Sequence, residues 1–419
     1  MKKPNVPDFA YACLLFYWFL SVIATLCGYL IKSPQLAYLN NGNLSLADFI
    51  CFYEAGKIFL SNEAPRLYDY SFQLQVLNEI ISPLRAEKVF AIPYSPPSFL
   101  LFAPLGLVSP ANAFRIFSGL SILLCITSLL LSARSARRTA LFTLFLLIGS
   151  MVSVPAQMTF HTGQLSCFLL FLLTSYFLCL KSKLDIWAGL ALALLFVKPQ
   201  YALFLLLPAL IMKRWRCLLS ASIFLISLSS IALLRFGINS FLIYPKYLFG
   251  LTDQSRYFGI FPQVHVNLRA LLLQFAPAEI STALSLFAYV AGLAFCSFIW
   301  LKVKNRDSNP ALPWLFAFTT ISALFFSPHT HCNDGLLLAA AAAFTLPTLS
   351  PTLVLSLESL PLKIWSLTLI FLPLLGFLSL LFSAFYPDIR FHVQMLANLI
   401  LLLSAAAYVS APMKEDLQQ

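Results

Sequence analysis

The run 186–212 is apolar except around Lys198, which is followed at once by Pro199 and Gln200. Placing a charge inside a membrane segment costs about 2.5–3.5 kcal/mol on insertion scales, so the ammonium needs a reason to be there. One reason is geometric: a long side chain can lay its stem on apolar surface and carry its charge to an interface. The other is chemical. Pro199 interrupts a helix and can open a polar pocket in which an ammonium faces an anionic group.

A second polar island, Ser327-Pro328-His329-Thr330-His331-Cys332-Asn333-Asp334, separates two apolar runs. Two histidines, a cysteine and a carboxylate are metal-ligand types. Histidines two residues apart do not share a helix face, however, and no third histidine is near in sequence, so no metal and no cofactor is expected. The island suits a polar site in which His329 or His331 donates to phosphate oxygens. His161-Thr162-Gly163-Gln164 is a third island, and Asn267 with Arg269 a fourth; each reads equally as a plain loop leading into a helix. Asp48 follows Ser45-Leu46-Ala47 and begins an amphipathic stretch. It fits a helix cap, and a carboxylate there can also accept a proton from an incoming hydroxyl.

The elements that must hold these groups are membrane helices. The 419 residues are 60% hydrophobic and 10% charged, and mean hydropathy is +0.85, against roughly 25% charge in soluble domains. Stretches at 9–31, 116–133, 141–180, 217–234, 280–301, 364–386 and 393–413 are apolar over lengths that suit a crossing. They are continuously apolar, without the alternation of barrel strands. The expected fold is an all-α polytopic bundle of roughly ten to thirteen transmembrane helices, forming one integral membrane domain over 1–419. The formal charge of +11 is scattered in short clusters between apolar runs. That pattern marks topology and excludes a nucleic-acid surface. Lys213-Arg214-Trp215-Arg216 and the group Lys302, Lys304, Arg306 mark cytoplasmic loops. Most of the nine cysteines lie inside apolar runs and no CxxC pair occurs, which excludes a disulfide framework.

The long polar segment 32–97 holds six of the sixteen acidic residues. With a cytoplasmic N-terminus it is an outer loop, and helical spacing within 49–60 and 72–81 predicts two short helices on the membrane surface. The stretch 98–108 can cross or merely dip. The second choice puts Arg134, Arg137 and Arg138 inside.

Several motifs together resemble a known family. The run from Asp48 through Phe49, Tyr53 and Glu54 to Lys57, then Leu67-Tyr68-Asp69, Tyr94-Ser95-Pro96-Pro97 and Ala103-Pro104-Leu105 is similar to the start of glycosyltransferase family 87. Gly163-Gln164, Lys198-Pro199-Gln200 and Ser327 through Asp334 resemble later landmarks of that family in the same order. The resemblance implies a type C membrane glycosyltransferase fold in a bacterial plasma membrane, with the active site facing the periplasm or cell exterior. It implies transfer of a sugar, mannose by family likeness, from a polyprenyl-phosphate donor to a lipid- or glycan-linked acceptor by inverting single displacement. Asp48 would be the general base, and Lys198 with His331, or His329 in its place, would meet the departing phosphate. Tyr53, Tyr94, Gln164, Arg269 and Asp334 would line the substrate pocket. A secondary transporter or lipid flippase is the alternative from another class, although it has no need of a 65-residue outer loop after its first span.

Overall fold

The computed structural model describes residues 47–251, 255–258, 262–304, 311–347, 354, 357–382 and 389–410. The expected first span, 9–31, lies outside them. Within them the chain is all-α apart from a two-residue parallel pairing of Val89 and Phe90 with Tyr257 and Phe258.

The polar loop folds into α1 (Ala47–Leu60) and α2 (Tyr70–Ile81), where helical spacing predicts them. Asp69 caps α2 by accepting from the Phe72 amide at 2.8 Å. Helix α1 is covered by protein: Phe49, Phe52, Tyr53, Ala55 and Ile58 are each at most 2% exposed. Its cover is α3 (Pro96–Phe102) with a 3-10 turn at Ala103–Leu107. The approach requires two glycines, because a Cβ on Gly56 would stand 2.4 Å from the Phe102 oxygen and one on Gly106 2.8 Å from the Gly56 carbonyl carbon. Seven residues of helix and five of turn reach only about 20 Å. The hydrocarbon is about 30 Å thick, so the stretch 98–108 is too short to cross on its own.

Beyond it the apolar runs divide more finely than hydropathy alone suggests. After α4 (Pro110–Ser135), the single run 141–180 is three helices, α5 (Ala140–Val152), α6 (Val154–Thr162) and α7 (Ser166–Lys181). Ser153 and Pro155 start α6, which bends 53° from α5, and Gly163 ends it in the left-handed region at φ +74°. The run 186–212 likewise splits into α8 (Asp185–Leu195) and α9 (Pro199–Ile211). There follow α10 (Trp215–Phe236), α11 (Ile238–Gly250), the single turn α12 (Leu268–Leu272), α13 (Ala278–Lys304) and α14 (Ala311–Phe326). A 3-10 turn at Cys332–Leu337 leads into α15 (Leu338–Thr345), then α16 (Leu360–Phe382) and α17 (Ile389–Ser410).

Among the described residues four helices are long and apolar enough to cross alone, and α5 with α6 makes a fifth if counted as one broken span. Seven further apolar helical stretches have 10–17 residues. Leu219, Ile226 and Leu234 on α10, with Phe287 and Val290 on α13, are between 63% and 89% exposed. Apolar faces of that extent belong against lipid. This is a multi-pass membrane protein.

Successive helices sort the charges to two ends. Helix α7 descends from Ser166 to Lys181, α8 returns from Asp185 to Leu195, and α9 descends again from Pro199. At the lower end the Lys181 ammonium donates to Ser135 Oγ at 3.3 Å, and Arg214 Nε donates to Asp185 Oδ1 at 2.7 Å. The upper end gathers Ser166, Lys198 and the polar island after α14.

Candidate active site

Lys198 sits where the sequence forces a break. Pro199 occupies the first turn of α9, where its missing amide hydrogen costs nothing and its ring blocks continuation of α8. Lys198 is the residue before that turn, with non-helical φ −120° and ψ 82°, and its side chain points inward. It is 5% exposed, and Nζ donates to Asp334 Oδ1 at 2.7 Å. The ammonium is therefore not a lone cation and does not snorkel to an interface.

Asp334 is the hub of the cluster. It is fully buried and accepts four donors: Lys198 Nζ and Ser166 Oγ (3.3 Å) at Oδ1, and Tyr201 OH (2.7 Å) and the His331 amide (3.1 Å) at Oδ2. Burial would raise its pKa, but Lys198 and these donors outweigh burial and hold the carboxyl below its ordinary value. Asn333 Nδ2 donates to Ser166 Oγ at 2.8 Å, tying the start of α7 to the same turn. Lys198 retains donor capacity beyond the Asp334 bond, since an ammonium carries three hydrogens.

His329 and His331 face one another with their Nε2 atoms 3.1 Å apart. His265, more than sixty residues upstream, closes the group: its ring centroid lies 4.5 Å from His329 and 4.8 Å from His331. The sequence-level objection to a metal, that no third histidine is near, does not survive folding. One nitrogen from each ring lies within 4.8 Å of the others. Burial lowers the pKa of all three rings, most strongly at His265 and His329, where neighbouring histidines and Lys198 add to it. At His331 the Asp48 and Asp334 carboxylates pull the other way.

Asp48 is thus near enough to His331 for its charge to be felt there. It is half-buried in the first turn of α1 and helical itself, so it is not the cap residue that the sequence also allows. Gly163 fixes this end of α1, because a Cβ there would lie 2.5 Å from Phe49 Cβ, directly after Asp48. The island His161 to Gln164 is thus the point where α6 and α1 meet. Tyr94 packs 5.5 Å from both Phe52 and Phe102, and the charges of Asp48 and Asp334 both reach its phenol.

Other sequence candidates are less central. The Tyr53 hydroxyl donates to the Val108 carbonyl at 2.8 Å and braces α1 against the turn after α3. Gln164 is buried, with Oε1 accepting from the Leu165 amide at 3.3 Å. Arg269 lies near enough to depress His265 and His329, donates to Thr282 Oγ1 at 3.0 Å and keeps a buried Nε with no hydrogen-bond partner. Tyr201, Ser166 and His265 were not picked out in sequence, and Asn333 only as one member of the island Ser327 to Asp334. Tyr201 stands three residues after Lys198, a helical neighbour that could have been noticed. His265 had no signal beyond being one of five histidines in the chain.

The site thus combines the Asp48 carboxylate, a paired ammonium and three imidazoles whose pKa burial lowers, at one end of a membrane bundle. It offers hydrogen-bond donors to an anion and an acceptor for a proton. Comparison with curated proteins and with solved structures finds no match. The sequence profile of Glycosyltransferase family 87 matches residues 92–328, which hold Lys198 and His265 but stop short of His329 and begin after Asp48. Because that match covers more than half of the 419 residues, this membrane protein belongs to glycosyltransferase family 87.

Proposed function

We propose that the enzyme transfers a sugar, mannose by family likeness, from a polyprenyl-phosphate carrier to a lipid- or glycan-linked acceptor. Supporting this reading above all is the convergence of Asp48 with the Lys198–Asp334–histidine cluster at one end of the bundle. In the proposed step the acceptor oxygen bonds to the anomeric carbon as the bond from that carbon to the phosphate oxygen breaks. The electron pair stays on the phosphate and the hydroxyl proton passes to Asp48, inverting the anomeric centre. Charge grows on the departing monophosphate, where Lys198 and the imidazoles of His329 and His331 supply donors fixed before the reaction. Asp334 orients Lys198 in this scheme and takes no proton. Tyr94 and Gln164 border the substrate, with Arg269 behind the histidines.

The single membrane domain 1–419 would hold this site on the periplasmic or exterior face of a bacterial plasma membrane, because the basic loop ends near Arg214 lie at the opposite end. Purified protein in detergent, given a synthetic polyprenyl-phosphate mannose and lipid acceptors, should release polyprenyl phosphate as sugar is transferred. Transfer from a nucleotide-diphosphate sugar, with none from the polyprenyl donor, would overturn the proposal.

A further inference from the structure

We propose that His265, His329 and His331 form a binding site for a divalent transition-metal ion of the zinc class. The three rings meet nearly edge to face at interplanar angles of 81°, 82° and 90°, with one nitrogen of each within 4.8 Å of the other two. A tetrahedral zinc ion with metal–nitrogen bonds of about 2.0–2.1 Å sets its ligand nitrogens about 3.4 Å apart. The His329–His331 separation of 3.1 Å is close to one such edge, and a small ring rotation at His265 brings the remaining edges in from no more than 4.8 Å.

A second observation points to a ligand. His265 is 1% exposed, and neither ring nitrogen has a hydrogen-bond partner. An unsatisfied buried polar group costs about 1–3 kcal/mol. A proton shared between His329 and His331 explains their contact and leaves His265 with nothing. A metal ion takes one nitrogen of each ring and leaves the second nitrogen of His329 and His331 as a donor.

The backbone is built to hold this geometry. The Val266 amide donates to the Thr330 carbonyl at 3.0 Å, Asn267 Nδ2 donates to the Ser327 carbonyl at 2.8 Å, and Asn398 Nδ2 donates to the Val266 carbonyl at 2.9 Å. The two loops that carry the ligands are thereby clamped to each other and to α17. Three imidazoles leave a coordination position open, as catalytic zinc sites do. What fills it rests on the function proposed above: a phosphoryl oxygen of the lipid carrier. The ion itself does not depend on that reading.

The test uses the full-length protein with any affinity tag removed. It is stripped with a chelator and titrated with Zn²⁺ in competition with a chromophoric indicator, without donor or acceptor. One equivalent should bind, and X-ray absorption of the loaded protein should show three imidazole nitrogens at about 2.0–2.1 Å. His265→Ala and His265→Gln, checked for parent-like thermal unfolding, should lose more than about 100-fold in affinity, beyond the effect of removing an outer-shell partner. Binding weaker than the indicator can detect, fewer than three nitrogens, or equal affinity in folded variants would overturn the proposal. If neither variant folds, the absorption spectrum of the parent decides. Normal metal binding in a protein that ignores polyprenyl-phosphate sugars would leave the metal site standing and remove only the proposed donor.

Discussion

Replacing Lys198 should damage the protein in two separable ways, and the second can be isolated. In the parent, the Lys198 and Asp334 side chains are 6% and 0% exposed and 2.7 Å apart. Removing one member of such a pair leaves an uncompensated buried charge, which costs about 3–5 kcal/mol. Asp334 keeps Tyr201, Ser166 and the His331 amide as donors, so the loss for Lys198→Met should fall near the lower bound. The pH dependence has a definite sign. In the parent the Asp334 pKa is depressed, so its stabilisation is present above the unfolded value near pH 4 and is lost as pH falls through the folded value. Without Lys198, burial becomes the largest influence and raises that pKa, so Lys198→Met should regain stability relative to the parent on acidification. The double variant Lys198→Met, Asp334→Leu removes the unpaired charge and should recover most of the thermal stability while turnover stays lost. Thermal unfolding in detergent from pH 4 to 8, with transfer measured on the same samples, checks this. Parent-like turnover in the folded double variant would refute any role for the pair beyond holding the bundle together.

Asp48→Asn should lower turnover by about two to four orders of magnitude, the range for loss of a general base, with donor affinity largely kept; turnover within a few-fold of the parent leaves Asp48 without that role. Gly163→Ala should destabilise by more than about 1 kcal/mol, since φ is +74° and the new Cβ meets Phe49, and it should depress turnover by displacing the start of α1; an unaffected Tm would contradict the packing. Glu54 is fully buried with both oxygens unpartnered, and burial raises its pKa. The parent should therefore lose stability as pH rises from the ordinary glutamate value, about 4.3, through the raised one, and Glu54→Gln should flatten that slope in pH-dependent unfolding curves. A cysteine at exposed Asn62 should react with an impermeant reagent added outside intact cells, while one at Arg216 should react only after the inner face is opened. The reverse pattern would move the site to the cytoplasm.

The clearest lesson about legibility comes from helix breaks. Hydropathy located the apolar runs but merged α5, α6 and α7 into 141–180, because one capping serine or one glycine at positive φ hardly changes the apolarity of a run; Pro199 alone marked the boundary between α8 and α9. Those breaks are where Gly163, Gln164 and Lys198 stand, so the polar islands were the better guide to helix ends. Spacing does not show which helices are covered by protein. It placed α1 and α2 correctly, yet the burial of α1 depends on the Gly56–Gly106 approach, which joins residues fifty positions apart.

By itself the sequence determined that the chain lives in lipid and is all helical, since runs without ionised groups can satisfy their backbone in hydrocarbon in no other continuous way. It also singled out Lys198 and the island from Ser327 to Asp334, because charge in apolar sequence is expensive enough to be conspicuous. Only the tertiary structure decided that Lys198 is bound to Asp334, that Tyr201 and Ser166 complete that carboxylate's shell, and that His265 joins His329 and His331. These are distances between segments 60 to 170 residues apart, fixed by the order in which helices cross and pack, and local propensity carries no information about them.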